Sequence, residues 1–169
     1  MNFSERLIGE LKREAESTRR VLERVPSDKL SWKPHKKSMS LGQLALHTAG
    51  VPGGLAEFLD EQSREVPVVP LPEATSLNEI LSAFDKYMLL AENKLLAWGE
   101  TGLMETWKLT REGIAILEVP RIEMVRTLML NHWYHHRGQL TVYLRLLEVP
   151  VPSIYGPSAD EISNQSGRA

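Results

Sequence analysis

The chain contains no cysteine. That excludes thiolate metal sites, a cysteine nucleophile and a disulfide framework, and it suits a reducing cytosol. No window reaches the ~18 consecutive apolar residues needed to cross a bilayer as a helix, so no membrane association is expected. The opening residues, MNFSERLIGELKREAES, interleave charge with apolar positions where a secretory signal would show an unbroken apolar stretch. A cytoplasmic protein is the expectation. An excess of one charge is missing too: 20 Lys+Arg stand against 22 Asp+Glu, a net charge of −2. The lysine-rich stretch Lys33–Lys37 is broken by Pro34 and His35, which leaves no basic footprint for nucleic acid. No P-loop, GxGxxG turn or GxSxG elbow occurs.

What is present is apolar periodicity. In 169 residues, 42% are apolar, enough for one domain over 1–169 that buries roughly two-thirds of its unfolded surface. Helical spacing marks four segments. The first runs from Phe3 to Val25 on a stripe of Phe3, Leu7, Leu11, Ala15, Thr18, Leu22 and Val25, with Asn2 as N-cap and Pro26 as stop. The second runs from Leu41 to Gln62, opened by the capping-box pair Ser40 and Gln43. Pro52 lies inside it, with Gly50, Gly53 and Gly54 nearby. Pro52 cannot donate to the Thr48 carbonyl, so a kink or break is expected there. The third runs from Leu77 to Trp98 behind a second capping-box pair, Ser76 and Glu79. The fourth runs from Pro120 to Glu148, with Pro120 in its first turn. Between the third and fourth, Trp107 and Leu109 precede a turn at Arg111–Gly113 and Ile114 and Ile116 follow it, the pattern of a short β-hairpin. The tail from 149 is expected to pack in part and to fray over about 162–169. The expected fold is all-α, a four-helix bundle.

The core stripe of the fourth helix is Ile122, Val125, Met129, His132, His136, Leu140, Tyr143 and Leu147. Two imidazoles stand where the pattern asks for aliphatic side chains. At i and i+4 they share one face and can share one ion. His47, between Leu44 and Val51 on the inner side of the second helix, can supply a third nitrogen. A lone histidine on an apolar face is more often a hydrogen-bonded core residue, and that alternative stands for each ring taken singly. Three imidazoles in one core without a common partner are costly, which puts a three-histidine metal site on an equal footing with hydrogen-bonded core histidines. His35 sits among lysines and reads as solvated; His135 points away from the shared face. The intervening Trp133, Tyr134 and His135 do not make HExxH, and no Asp or Glu falls between Glu123 and Glu148 for a di-iron site. Gln139 is a candidate for orienting a ligand or bound water, and Tyr143 for donating to a substrate. Arg137 reads as a structural ion pair, and the tryptophans at 32, 98, 107 and 133 as core and interface residues.

The run HWYHHRGQL at 132–140 resembles the HxxHHRGQ signature of the DinB/YfiT-like family. SLGQLALHTAG at 40–50 resembles that family's first metal-ligand helix, and VPVPSIYGPSADE at 149–161 the segment after its last helix. The resemblance implies a four-helix bundle in which His47, His132 and His136 hold a divalent ion, zinc or nickel before iron or manganese. It implies a homodimer, for which surplus apolar side chains on the first and third helices also speak. Relatives include transferases and isomerases that use low-molecular-weight thiols such as bacillithiol or mycothiol. Three neutral imidazoles leave an ion its double charge and an open position. A bound water is then acidified from about 15.7 toward ~7, which suits hydrolysis. A bound thiol is deprotonated, which suits attack on a small electrophile or a thiol-assisted isomerisation. The alternative is a non-catalytic bundle whose metal serves structure or ligand sensing. The Pro52/Gly53/Gly54 break is expected to leave room beside the metal, which favours the enzyme.

Overall fold

The computed structural model describes residues 2–162. Its elements are α1 (Phe3–Leu22), α2 (Leu41–Phe58), β1 (Ser63–Glu65), α3 (Leu77–Met104), β2 (Thr106–Arg111), β3 (Ile114–Pro120), α4 (Arg121–Met124), a π-helical segment (Val125–Asn131), α5 (His132–Leu146) and α6 (Ala159–Ile162). The backbone stays helical where α4 meets the π segment and where that segment meets α5, so these three make one rod. α3 packs against both α1 and α2, and α5 closes the bundle against the same two helices. Leu11, Leu22, Leu41, Leu44, Ile80 and Leu95 are among the fully buried side chains between them.

Local chemistry sets the helix starts. Asn2 and Glu5 exchange both bonds of a capping box, as do Ser40 and Gln43. At α3 the exchange is half made. Ser76 accepts from the Glu79 N–H, while the Glu79 carboxylate accepts from the Thr75 N–H and hydroxyl instead. The ends depart from the sequence expectation. α1 stops at Leu22 and α2 at Phe58, both earlier than expected. α3 continues past Trp98 to Met104 through a bend at Gly99, whose φ of 53° suits glycine. Pro120 is not in a helical turn; it ends β3 and caps α4.

Of the kink or break expected at Pro52, the break is absent: α2 runs through it. The carbonyl that Pro52 leaves without a helical donor, that of Thr48, accepts instead from the Trp133 indole N–H at 3.0 Å. The neighbouring glycines serve packing. A Cβ at Gly53 would lie 2.7 Å from the Tyr87 Cα, so α2 and α3 touch backbone to backbone there.

The hairpin is present, turning at Glu112 (φ 53°) and Gly113 (φ 77°), the positive-φ pair that tight hairpins favour. β3 carries one extra residue opposite the Leu109/Thr110 step. β1 was not expected; it adds to β2 in parallel, Ser63 opposite Lys108, giving the order β1-β2-β3. Trp107 is fully buried and rests on Phe58, ring centroids 5.6 Å apart, which seats the sheet on the end of α2. Beside it, buried Arg121 caps two helix ends. Its Nε donates to the Leu59 carbonyl at 2.9 Å, and its Nη1 donates to the Gly102 carbonyl and to Glu105. No helix among the described residues is long and apolar enough to cross a membrane.

Candidate metal centre

His47 sits in the second turn of α2, and His132 and His136 open α5. The bundle brings the three rings together. His132 Nε2 lies 3.4 Å from His47 Nε2 and 3.0 Å from His136 Nε2. The rings stand nearly perpendicular to one another, with centroids 4.3 to 5.6 Å apart. One nitrogen from each lies within 4.8 Å of the other two, and no Asp, Glu or further His joins them among the described residues. His136 is buried at 7% exposure, while His47 and His132 are half-buried.

Electrostatics keeps all three rings neutral. Burial is the leading cause in each, because the uncharged form is the one that tolerates desolvation. The charge His132 would carry opposes protonation of His47, and His135 acts likewise on His132. His136 is pushed down to about 4, although its contact with Gln139 works the other way. That contact also settles the tautomer. His136 Nδ1–H donates to Gln139 Oε1 at 2.8 Å, so His136 Nε2 carries a lone pair aimed into the cluster. An acceptor aimed at two other imidazole nitrogens, with no acid to share a proton, is the arrangement a cation satisfies. Three imidazole nitrogens suit zinc, nickel, iron or copper better than the hard, oxygen-seeking ions.

The remaining candidates fall elsewhere. Gln139 acts on a ring of the cluster. Tyr143 donates its hydroxyl to the Met39 carbonyl at 3.3 Å and stands edge-on to Trp32, tying the loop before α2 to α5. His35 and His135 are exposed. Arg137 makes the expected structural pair: buried to 1%, it meets Glu14 at 2.6 Å and lies between the rings of Tyr134 and Tyr155. Trp98, Trp107 and Trp133 are core residues. The break expected to make room beside the metal is not there, although a Cβ at Gly54 would meet nothing within 4 Å. α2 is unbroken, and Gly53 faces the backbone of α3. The bond from Trp133 to Thr48, next in sequence to His132 and His47, was missed. Its signal was the orphan carbonyl four residues before Pro52.

The sequence model of the DinB family matches residues 1–167. The uncharacterized protein YrdA of Bacillus subtilis (strain 168) is 26% identical over 148 residues, covering 88% of this chain and 85% of that protein. A DinB-like protein from Bacillus cereus ATCC 10987 shares the fold with a TM-score of 0.70 at 24% identity, over 88% of this chain and 95% of the other. The DinB-like protein YjoA of Bacillus subtilis does so with a TM-score of 0.69 at 18% identity, over 90% and 98%. With a family match that spans almost the whole sequence and a fold held in common with DinB-like structures, the chain belongs to the DinB family.

Proposed function

We propose that this protein is a divalent-metal enzyme that adds a low-molecular-weight thiol to a small electrophile, with His47, His132 and His136 as the metal ligands. The observation that carries the reading is the convergence of three neutral ring nitrogens on one point with no acidic side chain beside them. Catalytic metal sites keep a position free of protein ligands, whereas structural ones close it. The half-buried state of His47 and His132 leaves the cluster in reach of solvent, which supports the open kind. A divalent ion held there supplies the positive charge that deprotonates a coordinated thiol. The chain's own part is to hold the donors: Gln139 fixes the His136 ring, and the lone pairs are kept unprotonated by burial. The choice of thiol transfer over hydrolysis rests on the DinB resemblance, as does zinc or nickel over iron or manganese.

Elemental analysis of freshly purified protein should find about one zinc or nickel per chain. A panel of bacillithiol, mycothiol, glutathione and cysteine against small electrophiles should then give turnover that a chelator abolishes and His132→Ala lacks. Absence of metal-dependent turnover across the panel would overturn the enzyme reading. Light scattering on the same sample reports the partner proposed with it, a second copy of the chain. Exposed Leu89 and Leu96 on α3 support that pairing, and a monomer mass would end it.

A second reading has an observation of its own. His136 is buried and Gly53 is closed against Tyr87, so an ion that only braces α2 against α5 is the alternative. It predicts loss of the folded state on chelation.

A further inference from the structure

A proline inside a helix leaves the carbonyl four residues earlier without its donor. In α2 that carbonyl is Thr48's, and it is buried, where water cannot replace the missing bond. The Thr48 hydroxyl does not compensate, since it donates to the Leu44 carbonyl at 2.7 Å. The donor comes from the other ligand helix. Trp133, fully buried on α5, sends its indole N–H to the Thr48 carbonyl at 3.0 Å. Each partner follows a cluster residue in sequence: Thr48 comes after His47 and Trp133 after His132, whose Nε2 atoms lie 3.4 Å apart. One directional bond therefore sits a single residue away from the His47–His132 approach. The surrounding aliphatic contacts are non-directional and tolerate a small slide or roll of α5 on α2; a hydrogen bond at this geometry does not.

We infer that Trp133 is a positioning residue for the metal centre, and that Pro52 serves it by withholding an N–H, which leaves the Thr48 carbonyl as the acceptor that keys α5 to α2. The inference rests on the metal reading proposed above. It assigns a use to the proline that helix propensity alone counts as a defect. It also explains why α2 stays helical through that position.

The test measures zinc affinity, by competition with a chromophoric chelator, and the melting temperature of the zinc-free protein. It compares wild type, Trp133→Phe, Pro52→Ala and the double variant. Trp133→Phe strands the carbonyl and removes the key, so both stability and zinc affinity should fall, the affinity by roughly tenfold, as when the partner of a metal ligand is lost. In the double variant the backbone N–H gained at position 52 satisfies the carbonyl within α2. Stability should return toward wild type while zinc affinity stays low, because the link between the helices is still missing. Replacing Trp133 by β-(3-benzothienyl)alanine, which keeps the shape and lacks the N–H, should lower affinity like Phe. It also answers for Trp133→Phe should that variant not fold. Two results would overturn the inference: wild-type affinity in the benzothienyl or Phe variant, or affinity that recovers together with stability in the double variant. Wild-type protein that binds neither zinc nor nickel would overturn the metal reading itself, a different outcome from any of these.

Discussion

On the His136 ring the proton and the lone pair lie on opposite sides, and Gln139 decides which is which. With Nδ1–H held by Gln139 Oε1 at 2.8 Å, the other nitrogen is free to coordinate. Gln139→Leu removes the acceptor and lets the ring rotate or change tautomer. Zinc affinity should drop about 10–100-fold with the helical circular dichroism unchanged, and an unaltered chelator competition would show that Gln139 orients nothing. The same rings set a pH dependence. Their pKa values are depressed by burial, so the folded chain resists protons that the unfolded chain takes up near 6.5. Below that pH the unfolded state binds more protons. The stability these groups contribute is therefore whole above about 6.5, and is lost as pH falls toward and through the value of about 4 at His136. Urea midpoints of the metal-free protein should decline over that window, and His136→Gln should flatten the decline. These residues were legible because a heptad register puts 132 and 136 at core positions, where an imidazole has no bland use in company. Tyr143 shows the limit: it lies on that same stripe, yet its hydroxyl bonds the Met39 carbonyl on the far side of a loop, a contact no spacing rule contains.

Among the elements, α2 is where sequence and structure diverge most. A proline flanked by glycines reads as a break, because local rules see only the donor that is lost. The donor that replaces it is 85 residues away in the chain. The glycines divide by environment. At Gly53 a Cβ would press on the Tyr87 backbone, while at Gly54 nothing lies within 4 Å. Gly53→Ala should therefore destabilise by about 1–3 kcal/mol through overpacking. Gly54→Ala should be neutral or stabilise by up to ~1 kcal/mol through helix propensity. Denaturation curves of the pair decide it, and equal effects at both positions would contradict the close approach of α2 and α3. The hairpin could be read because Glu112–Gly113 names its turn. β1 could not: Ser63, Arg64 and Glu65 show no apolar alternation, and only pairing with β2 makes them a strand. The π segment Val125–Asn131 was hidden for a related reason. The step of four from Val125 to Met129 fits an α turn and a wider one equally. The wider turn shows in its burial, which takes in Met124 and Leu130 beside Val125 and Met129.

Across the whole molecule, the cluster joins segments that the chain holds far apart. One ligand is in α2 and two begin α5, with the sheet and all of α3 between them in sequence. Any ion bound there prefers the folded state, because the unfolded chain does not hold the three rings together. Zinc at 100 times its dissociation constant adds about 2.7 kcal/mol. For a chain of this length each kcal/mol raises the melting temperature by roughly 2–4 °C, so saturating zinc should shift the melt by about 5–11 °C. His132→Ala should keep the helical spectrum and lose the shift. The apolar core does not wait for the ion: Leu11, Leu44, Ile80, Leu95 and Leu140 are fully buried, and buried Arg137 is paired with Glu14 independently of the histidines. Chelated protein should thus still melt cooperatively, only lower. A single sharp transition that survives chelation rules the ion out as a brace the fold requires. A chain that loses its transition altogether when zinc is withdrawn would make the ion a brace, and would turn the argument toward the structural reading.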